Sequence, residues 1–180
     1  MTRPEVRVLA GRWKGRRLEA GSGARPTASR ARKALFDILG DRILGARVLE
    51  LYAGSGAVGI EAVSRGAKAA ILVESDALPL RRSVERIGAN PAEVAVVAGT
   101  VRAAVEDFAA NGERFDLIFA DPPYEREEPE AFARAAELLK DGGLFVLQAD
   151  AGPETPALPG LALLARRAYG RNVFYFFGMR

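Results

Sequence analysis

Four consecutive residues, Asp121-Pro122-Pro123-Tyr124, could do chemistry on an amino group. Each proline fixes φ and has no N–H, so the segment is stiff and presents acceptors, the Asp121 carboxylate and the Pro122 carbonyl. The amino group of a nucleobase is a weak nucleophile because its lone pair is delocalised into the ring. Two acceptors that hold its hydrogens pull the nitrogen towards tetrahedral geometry, while Tyr124 stacks on the base. The alternative interpretation is a Pro-Pro turn that only ends a strand.

A second pattern, Gly54-x-Gly56-x-x-Gly59, is typical of nucleotide-binding loops, and Glu74 follows 20 residues after its first glycine. Glycines permit a tight turn and a close approach of the backbone to a ligand, and the acidic residue accepts hydrogen bonds from ribose hydroxyls. Glu50 precedes Gly54 by four residues and is expected to point towards the same crevice. A carboxylate there repels a pyrophosphate and suits an ammonium group, which favours S-adenosylmethionine over NAD.

The composition excludes several other classes of chemistry. The chain has 180 residues and contains no cysteine and no histidine. Disulfide scaffolds, thiol nucleophiles, ordinary zinc sites and Ser-His-Asp triads are therefore ruled out, and no metal is expected. No apolar run reaches the length of a membrane helix, and residues 1–14 lack the apolar core of a signal peptide. We expect a single globular domain with a small appendage, located in the cytoplasm.

Strands and helices alternate along most of the chain. The predicted strands are Arg47–Tyr52, Ala69–Glu74, Val94–Ala98, Phe115–Ala120 and Leu144–Ala149. The predicted helices are Ala57–Ser64, Ala77–Ala89, Val101–Ala110 and Pro129–Leu139. Alternation of this kind indicates a doubly wound parallel sheet, whose carboxyl edge carries both motifs. Residues Leu161–Tyr169 and Val173–Gly178 read as a hairpin without a crossover helix, so the sheet is expected to end in an antiparallel edge.

The N-terminal region has a different pattern. Val6–Ala10 and Arg16–Ala20 predict a small hairpin with a basic tip. A helix follows, with apolar residues at positions 31, 34, 35, 38 and 39 that predict a core-facing stripe. Arg30, Arg32 and Lys33 fall off this stripe and are expected to face solvent.

Positive charge is concentrated in the N-terminal region. Residues 1–47 contain ten Arg and two Lys against four acidic residues, whereas residues 48–180 contain 14 basic and 19 acidic residues. We therefore divide the chain into a basic extension, 1–47, and a catalytic domain, 48–180. A basic extension on an acidic body favours a polyanionic partner, although an Arg-rich solvated face explains the charge equally well.

Several segments together resemble a known family. Leu49–Gly56 and Asp121–Tyr124 resemble the class I S-adenosylmethionine-dependent amino-methyltransferases. Arg7–Leu18, together with Arg25–Thr27 and the following Arg30–Leu39, narrows the resemblance to the bacterial 16S ribosomal RNA guanine-N2 methyltransferases of the small subunit. The resemblance covers nearly the whole chain. Many amino-methyltransferases share the two core motifs, so the N-terminal segments carry the family assignment.

The resemblance implies a Rossmann-like methyltransferase fold and a guanine in 16S RNA, presented on small-subunit particles, as the substrate. It implies catalytic roles for Asp121, Pro122, Pro123 and Tyr124. It implies S-adenosylmethionine as the cofactor, bound by Glu50, Tyr52, Ala53, Gly54, Ser55, Gly56, Glu74, Ser75, Thr100 and Val101. Glu50 would hold the methionine amine directly or through water, and Glu74 would hold the ribose.

The chain departs from the family pattern at two positions. Glu50 stands where the related pattern more often has Asp, which is one methylene shorter. After the third predicted strand, Gly99-Thr100-Val101 stands where an Asp or Asn commonly meets the adenine. Thr100 is expected to supply one hydrogen bond there.

An RNA substrate gives the basic N-terminal region a function. Phosphate and stacking contacts are expected from Arg12, Trp13, Lys14, Arg16 and Arg17. Arg25, Arg30 and Arg32 would continue this surface towards the active site. We expect the extension to position RNA while residues 121–124 act on a base swung out of its stack. No feature marks an interface between copies, so a monomer is expected.

Three other functions are compatible with parts of this pattern. An amino-methyltransferase acting on adenine or cytosine in DNA, or on a tRNA base, would keep the same turn. A non-catalytic RNA-binding assembly factor would keep the cofactor pocket without turnover. An NAD-dependent oxidoreductase would share the glycine motif, but Glu50 and the lack of a substrate domain oppose it.

Overall fold

The computed structural model describes residues 6–19, 29–123, 129–150 and 156–179. Its strands are β1 (Val6–Arg7), β2 (Arg17–Leu18), β3 (Arg47–Leu51), β4 (Ala69–Glu74), β5 (Val94–Ala98), β6 (Phe115–Ala120), β7 (Leu139–Asp150), β8 (Ala162–Tyr169) and β9 (Asn172–Gly178). Its helices are α1 (Ser29–Leu39), a 3₁₀ helix (Gly40–Ile43), α2 (Ala57–Ser64), α3 (Ala77–Ile87), α4 (Val101–Ala110) and α5 (Pro129–Ala136).

Seven strands form the main sheet in the order β5-β4-β3-β6-β7-β9-β8. The five strands β3 to β7 run parallel to one another. Strand β9 is antiparallel to both β7 and β8. The mostly parallel sheet with an antiparallel C-terminal hairpin, predicted from the sequence, is therefore confirmed.

Helices cover both faces of the sheet. One hydrophobic cluster joins one face to α1, α2, α3 and the β1–β2 hairpin, and a second joins the other face to α4 and α5. Strands covered on both faces are apolar along their whole length, so buried polar side chains stand out. Within the described strands these are Glu50 and Gln148, each 3% exposed. No helix among the described residues has the length and apolarity needed to span a bilayer.

Some predicted boundaries are wrong at glycines. Gly142 was expected to separate a helix from a strand but lies inside a strand, and Gly88 was expected inside a helix but ends it. Helix α5 ends at Ala136 instead of Leu139, and β7 begins at Leu139 instead of Leu144. Gly142, with φ of 72°, lies inside β7, where the pairing with β6 shifts register. Such an irregularity lets a strand continue through residues that locally resemble a turn. Helix α3 ends at Ile87, because Gly88 terminates it in the left-handed conformation.

The N-terminal hairpin packs on the C-terminal end of α2. The Arg12 amide donates to the Ser64 carbonyl at 2.9 Å, and the Trp13 amide donates to Ser64 Oγ at 3.0 Å. A Cβ atom on Gly11 would lie 1.8 Å from the Ser64 carbonyl oxygen, so only glycine fits this contact. Trp13 is 8% exposed and belongs to the same hydrophobic cluster as the sheet. The hairpin thus shares its core with the main sheet.

Helix α1 buries Ala31, Leu35 and Leu39 as predicted, but its buried face is rotated from the predicted stripe. Ile38, which the predicted stripe includes, is 41% exposed, while Arg32, which the stripe excludes, is 1% exposed. Arg32 Nε donates to Glu61 Oε2 at 3.0 Å, and its guanidinium also donates to the Arg7 carbonyl. Glu61 is fully buried and is also bound by Arg65. The expectation that Arg32 faces solvent is wrong, because this ion pair draws it into the core.

We predict that Arg32→Met lowers the free energy of unfolding by about 3 kcal/mol, because breaking a buried ion pair leaves a buried charge less compensated. The neighbouring Lys33 is 69% exposed and pairs with Asp37 on the surface. Lys33→Met, the matched control, should change stability by less than about 0.5 kcal/mol. Chemical denaturation measures both effects, and equal stabilities would show that the Arg32–Glu61 pair does not support the fold.

Candidate active site

The two sequence motifs follow neighbouring strands of the sheet. Strand β3 pairs with β4 on one side and with β6 on the other, so the strand order reverses between β3 and β6. Leu51 and Ala120 are register partners, and they immediately precede the glycine loop and the Asp-Pro-Pro turn. Open α/β sheets bind ligands at this kind of switch point, outside the carboxyl ends of the strands. The topology therefore brings both predicted sites to one crevice.

The glycine loop is tightly wound. Tyr52, Gly54 and Gly56 have positive φ angles of 57°, 54° and 69°. A left-handed conformation is uncommon for a tyrosine and is found preferentially where the surrounding structure holds a functional loop. The Gly56 amide donates to the Ala53 carbonyl at 2.7 Å, which closes the turn, and Ser55 is buried beneath it. Ala53 and Gly56 are buried as well, whereas Tyr52 and Gly54 are partly exposed.

Glu74 lies beside this loop at the end of β4. Its Oε2 accepts a hydrogen bond from the Gly54 amide at 2.7 Å. Its Oε1 accepts hydrogen bonds from Ser75 Oγ at 3.1 Å and from the Asp76 amide at 3.0 Å. The predicted ribose-binding acid is thus in contact with the loop that the sequence paired it with. Ser75 contacts Glu74 and is exposed.

Glu50 lies under the loop, where its carboxyl group contacts the first turn of α2. Oε2 accepts from the Gly59 amide at 2.7 Å, and Oε1 lies 3.3 Å from the Val58 amide. A Cβ on Gly59 would lie 2.3 Å from Leu72 Cδ2 and 2.9 Å from Glu50 Oε2. The third glycine of the motif therefore lets the helix, the sheet and this carboxyl group pack together.

Burial raises the pKa of Glu50 to about 8, although the two amide donors act in the opposite direction. From residue type alone, Glu50 is expected to carry a full negative charge at the crevice. With this pKa the carboxyl group is largely protonated at neutral pH, so repulsion of a pyrophosphate is a weaker reason to exclude NAD than the sequence indicates. In this structure the Glu50 carboxyl group binds the first turn of α2, the helix that follows the loop.

Asp121 lies at the end of β6 and is held by a residue of β7. Gln148 Nε2 donates to Asp121 Oδ2 at 3.0 Å and to Asn172 Oδ1 at 3.2 Å. Burial raises the pKa of Asp121 to about 7, and repulsion by the Asp150 carboxylate adds to this shift. The carboxyl group therefore changes charge near neutral pH, which is typical of groups at reactive sites.

The structure describes two of the other three residues of the Asp-Pro-Pro-Tyr motif. Pro122 is half-buried and Pro123 is exposed at the carboxyl edge. Tyr124 lies outside the described residues, so its predicted stacking on a base stays a prediction.

The predicted adenine contacts lie at the start of α4. Thr100 is the N-cap of this helix, and its Oγ1 lies 3.3 Å from the Ala103 amide, from which it accepts a hydrogen bond. A hydroxyl that accepts from the backbone can still donate to a ligand. Val101 is 4% exposed and packs in the core, so its side chain presents little surface to a cofactor.

The predicted RNA-binding residues separate into two groups. The exposed residues are Arg12, Lys14, Arg16, Arg17 and Arg30. Arg12 pairs with Glu93 at 2.9 Å and stacks over the Trp13 ring at 4.1 Å. The buried residues Trp13 and Arg32 have no free face on which a base or phosphate could lie, so their predicted RNA contacts do not fit this structure. Arg25 lies outside the described residues.

Two residues near Asp121 were not predicted from the sequence. Gln148 contacts Asp121 directly, and Asn172 contacts the same Gln148 nitrogen. A signal for Gln148 was present, because it is the polar side chain at the end of the apolar run Leu144–Leu147. A buried polar residue in a parallel strand needs a partner, and here that partner is Asp121. Asn172 had no such signal, because it resembles an ordinary turn residue.

A cavity of about 220 Å³ lies at the opposite edge of the sheet, lined in part by Arg42, Asp116 and Gly142. None of the residues of the two motifs lines it. Because α/β sheets bind ligands at their carboxyl edge, we assign the candidate active site to the β3–β6 crevice and not to this cavity.

We predict that the stability of this protein falls as pH rises from about 5 to 8, in part because of Glu50. The folded state holds the Glu50 proton up to a pKa of about 8, whereas the unfolded chain releases it near 4.5, so folding is coupled to proton uptake in this window. Glu50→Gln has no titrating group at this position. The free energy of unfolding of the variant, minus that of wild type, should therefore increase by on the order of 1 kcal/mol per pH unit across this window.

Urea denaturation at several pH values measures this difference. Glu85→Gln, which neutralises an exposed carboxylate on α3, controls for the loss of one negative charge. A stability difference between Glu50→Gln and wild type that is constant from pH 5 to 8 would contradict the proton uptake.

Comparisons with known proteins are consistent with this geometry. A family model described as Conserved hypothetical protein 95 matches residues 6–178. Ribosomal RNA small subunit methyltransferase D of Escherichia coli K12 is 31% identical over 176 residues, which cover 95% of this chain and 88% of that protein. A solved structure of a provisionally named methyltransferase from Escherichia coli has a TM-score of 0.84 and 29% identity, covering 98% of this chain and 99% of that one.

A solved structure of a hypothetical protein from Thermus thermophilus has a TM-score of 0.83 and 38% identity, covering 97% of this chain and 99% of that one. The fold is therefore that of the class I methyltransferases, as the sequence predicts. A family match over nearly the whole chain, together with a relative above 30% identity, shows that the protein belongs to the Conserved hypothetical protein 95 family.

Proposed function

We propose that this protein transfers a methyl group from S-adenosylmethionine to the exocyclic N2 amine of a guanine in 16S ribosomal RNA, on small-subunit particles in the cytoplasm. The observation that carries the proposal is the pairing of Leu51 with Ala120, which sets a nucleotide-binding loop beside an acceptor-rich turn at the switch point. The Escherichia coli relative is named for ribosomal RNA of the small subunit. One chain supplies both motifs, so the proposal needs no second copy.

The residues around the glycine loop fit the proposed cofactor. The loop backbone from Tyr52 to Gly56 would wrap the methionine part, and Glu74, already oriented by the Gly54 amide, would hold the ribose. Thr100 Oγ1 would contribute a hydrogen bond at the adenine. Glu50 is 3% exposed and would contribute indirectly, by fixing the first turn of α2 behind the loop that holds the methionine amine. When bound, S-adenosylmethionine supplies an electrophilic methyl group.

The Asp-Pro-Pro turn would act on the acceptor amine. The Asp121 carboxylate and the Pro122 carbonyl would each accept a hydrogen bond from the amine. These two hydrogen bonds would pull the nitrogen towards tetrahedral geometry and direct its lone pair at the methyl group of the cofactor. The hydrogen bond from Gln148 fixes Asp121 Oδ2 in position. Ionised Asp121 would also be a suitable acceptor for the proton that the amine loses, because its pKa of about 7 is near the ambient pH.

The exposed basic residues of the N-terminal region would hold the RNA. Lys14, Arg16 and Arg30 are exposed and form no ion pair with another described residue, so they are available to phosphates. Arg12 would exchange its pairing with Glu93 for a phosphate. Phosphate contacts of this kind position the RNA without reading its sequence. Guanine as the target base rests on the family resemblance of the N-terminal segments.

The main alternative within the same chemistry is an amino-methyltransferase that acts on another base, in DNA or tRNA. A non-catalytic assembly factor, the alternative from a different class, would not need a carboxyl group whose pKa is raised to about 7 beside the cofactor loop. That observation favours an enzyme.

We predict that Asp121→Ala lowers the methyl-transfer rate by at least roughly 100-fold and leaves S-adenosylmethionine binding unchanged, because Asp121 acts on the acceptor amine. Small-subunit particles from cells lacking the protein serve as substrate, and mass spectrometry of nucleosides identifies the product. Asp107→Ala, at an exposed position on α4, is the matched control. Near-normal turnover of Asp121→Ala would overturn the mechanism, and a methylated base other than guanine would overturn the assignment of the target.

We predict that kcat/KM rises with pH through about 7, because the ionised form of Asp121 is the better acceptor. Asp150→Asn removes a negative charge that raises the pKa of Asp121, so the rising limb should move to lower pH. The pH dependence of single-turnover methylation measures both effects. If kcat/KM rises over the same pH range in wild type and in Asp150→Asn, the ionisation of Asp121 does not control this rise.

A further inference from the structure

The C-terminal hairpin of β8 and β9 ends beside the candidate catalytic turn. Asp150 at the end of β7 is the register partner of Asn172, so the hairpin turn lies at the carboxyl edge of the sheet. Gln148 Nε2 donates both to Asp121 and to Asn172. A single nitrogen atom therefore separates the first residue of β9 from the Asp121 carboxyl group. Arg171, which precedes Asn172, lies at the rim of the crevice.

The hairpin is strongly basic. Arg166, Arg167 and Arg171 are exposed, and residues 156–179 contain no acidic residue. Within the parts of the chain that the structure describes, none of these three arginines forms an ion pair. Among the described residues, Asp150 and Asp121 are the acidic residues at the hairpin end, against three arginines, so the surface keeps a net positive charge.

The arginines are also supported by their surroundings. Arg166 lies over the Tyr175 ring at 5.8 Å, and Arg167 donates to the Arg166 carbonyl at 2.9 Å. Contacts of this kind reduce the conformational entropy that an arginine loses when it binds a phosphate. The guanidinium group matches phosphate oxygens with two parallel hydrogen bonds.

We propose that the β8–β9 hairpin binds RNA phosphates next to the base held by Asp121, through Arg171 at its turn and through Arg166 and Arg167, which project from opposite faces of β8. This inference rests on the proposed function. A base swung out of its stack keeps its phosphates within one nucleotide of the catalytic turn, and the hairpin rim is the basic surface that adjoins Asp121 through Gln148.

The place of this surface in the fold distinguishes it from the N-terminal hairpin. The tip of the N-terminal hairpin packs on the C-terminal end of α2 and beside Glu93, which precedes β5, so it lies towards the amino edge of the sheet. The β8–β9 turn lies at the carboxyl edge, where Gln148 joins Asn172 to Asp121. Of these two basic surfaces, the β8–β9 turn is therefore the one beside the catalytic turn.

The test compares wild type with a triple variant, Arg166→Ala, Arg167→Ala and Arg171→Ala. We expect the apparent Kd for small-subunit particles from cells lacking the protein to rise at least about tenfold. The slope of log Kobs against log salt should become shallower by about 2, because each lost phosphate contact contributes roughly 0.7–0.9. Calorimetric binding of S-adenosylmethionine and the urea midpoint should stay at wild-type values.

The matched control removes the same charge from the opposite edge of the sheet, with Arg42→Ala, Lys68→Ala and Arg114→Ala. These residues are exposed and lie beside the amino ends of the strands. The control should keep the wild-type slope. A triple Arg→Lys variant of the hairpin should keep the wild-type salt slope, because the charges remain, but should bind more weakly than wild type, because lysine lacks the bidentate guanidinium.

The outcomes distinguish this inference from the proposed function. Wild-type methylation of the particles, together with an unchanged Kd and slope in the hairpin triple variant, would overturn the hairpin inference alone. Equal effects of the hairpin and control variants would also overturn it, because net charge would then explain the binding. If the wild type methylates no ribosomal RNA, the proposed function and this inference both fail.

Discussion

The burial of helix α2 is the constraint on which the rest of the structure depends. All eight of its residues, Ala57–Ser64, are buried. A helix without access to water must satisfy its terminal backbone groups and its polar side chains with protein atoms. At the first turn, the Glu50 carboxyl group accepts from the Val58 and Gly59 amides. Later in the helix, the Glu61 carboxylate requires the two arginines that bind it.

The same helix connects the cofactor loop to the basic N-terminal region. The glycine loop enters its first turn, and the N-terminal hairpin is attached to its last turn through Ser64. An eight-residue helix is about 12 Å long, so loop and hairpin stand roughly that distance apart along its axis. Arg32 and Glu61 attach α1 to the same unit. The proposed RNA-binding and cofactor-binding surfaces thus belong to one rigid packing arrangement and not to a flexible tail.

Two carboxyl groups flank the switch point, one buried and one half-buried, and their contacts give them different roles. Glu50 is enclosed beneath the loop, where the cost of desolvation exceeds the effect of its two amide donors and raises its pKa to about 8. Asp121 lies at the end of its strand beside Gln148, and burial raises its pKa to about 7. The first is suited to holding the loop, and the second to exchanging a proton with a ligand. Both pKa values are raised, so the division of roles rests on the contacts: Glu50 binds two amides of α2, whereas Asp121 lies at the carboxyl edge with one hydrogen bond from Gln148.

The sequence by itself determined the alternation of strands and helices, often to the residue. Ala57–Ser64, Val94–Ala98 and Phe115–Ala120 match their predicted limits, because hydrophobic periodicity and glycine positions are local properties. It also determined that both motifs lie at one edge, since parallel strands share their carboxyl ends. Periodicity could not show that Arg32 is buried, because that depends on Glu61, 29 residues away in the chain.

Only the tertiary structure decided which polar groups meet and what charge they carry. Gln148 reaches Asp121 and Asn172 across three strands, and Glu50 is desolvated by a helix packed over it. Neither fact follows from residue type or spacing, because each depends on distances between segments far apart in sequence. A pKa depends on how much water and charge surround a group, and those surroundings exist only after the chain has packed.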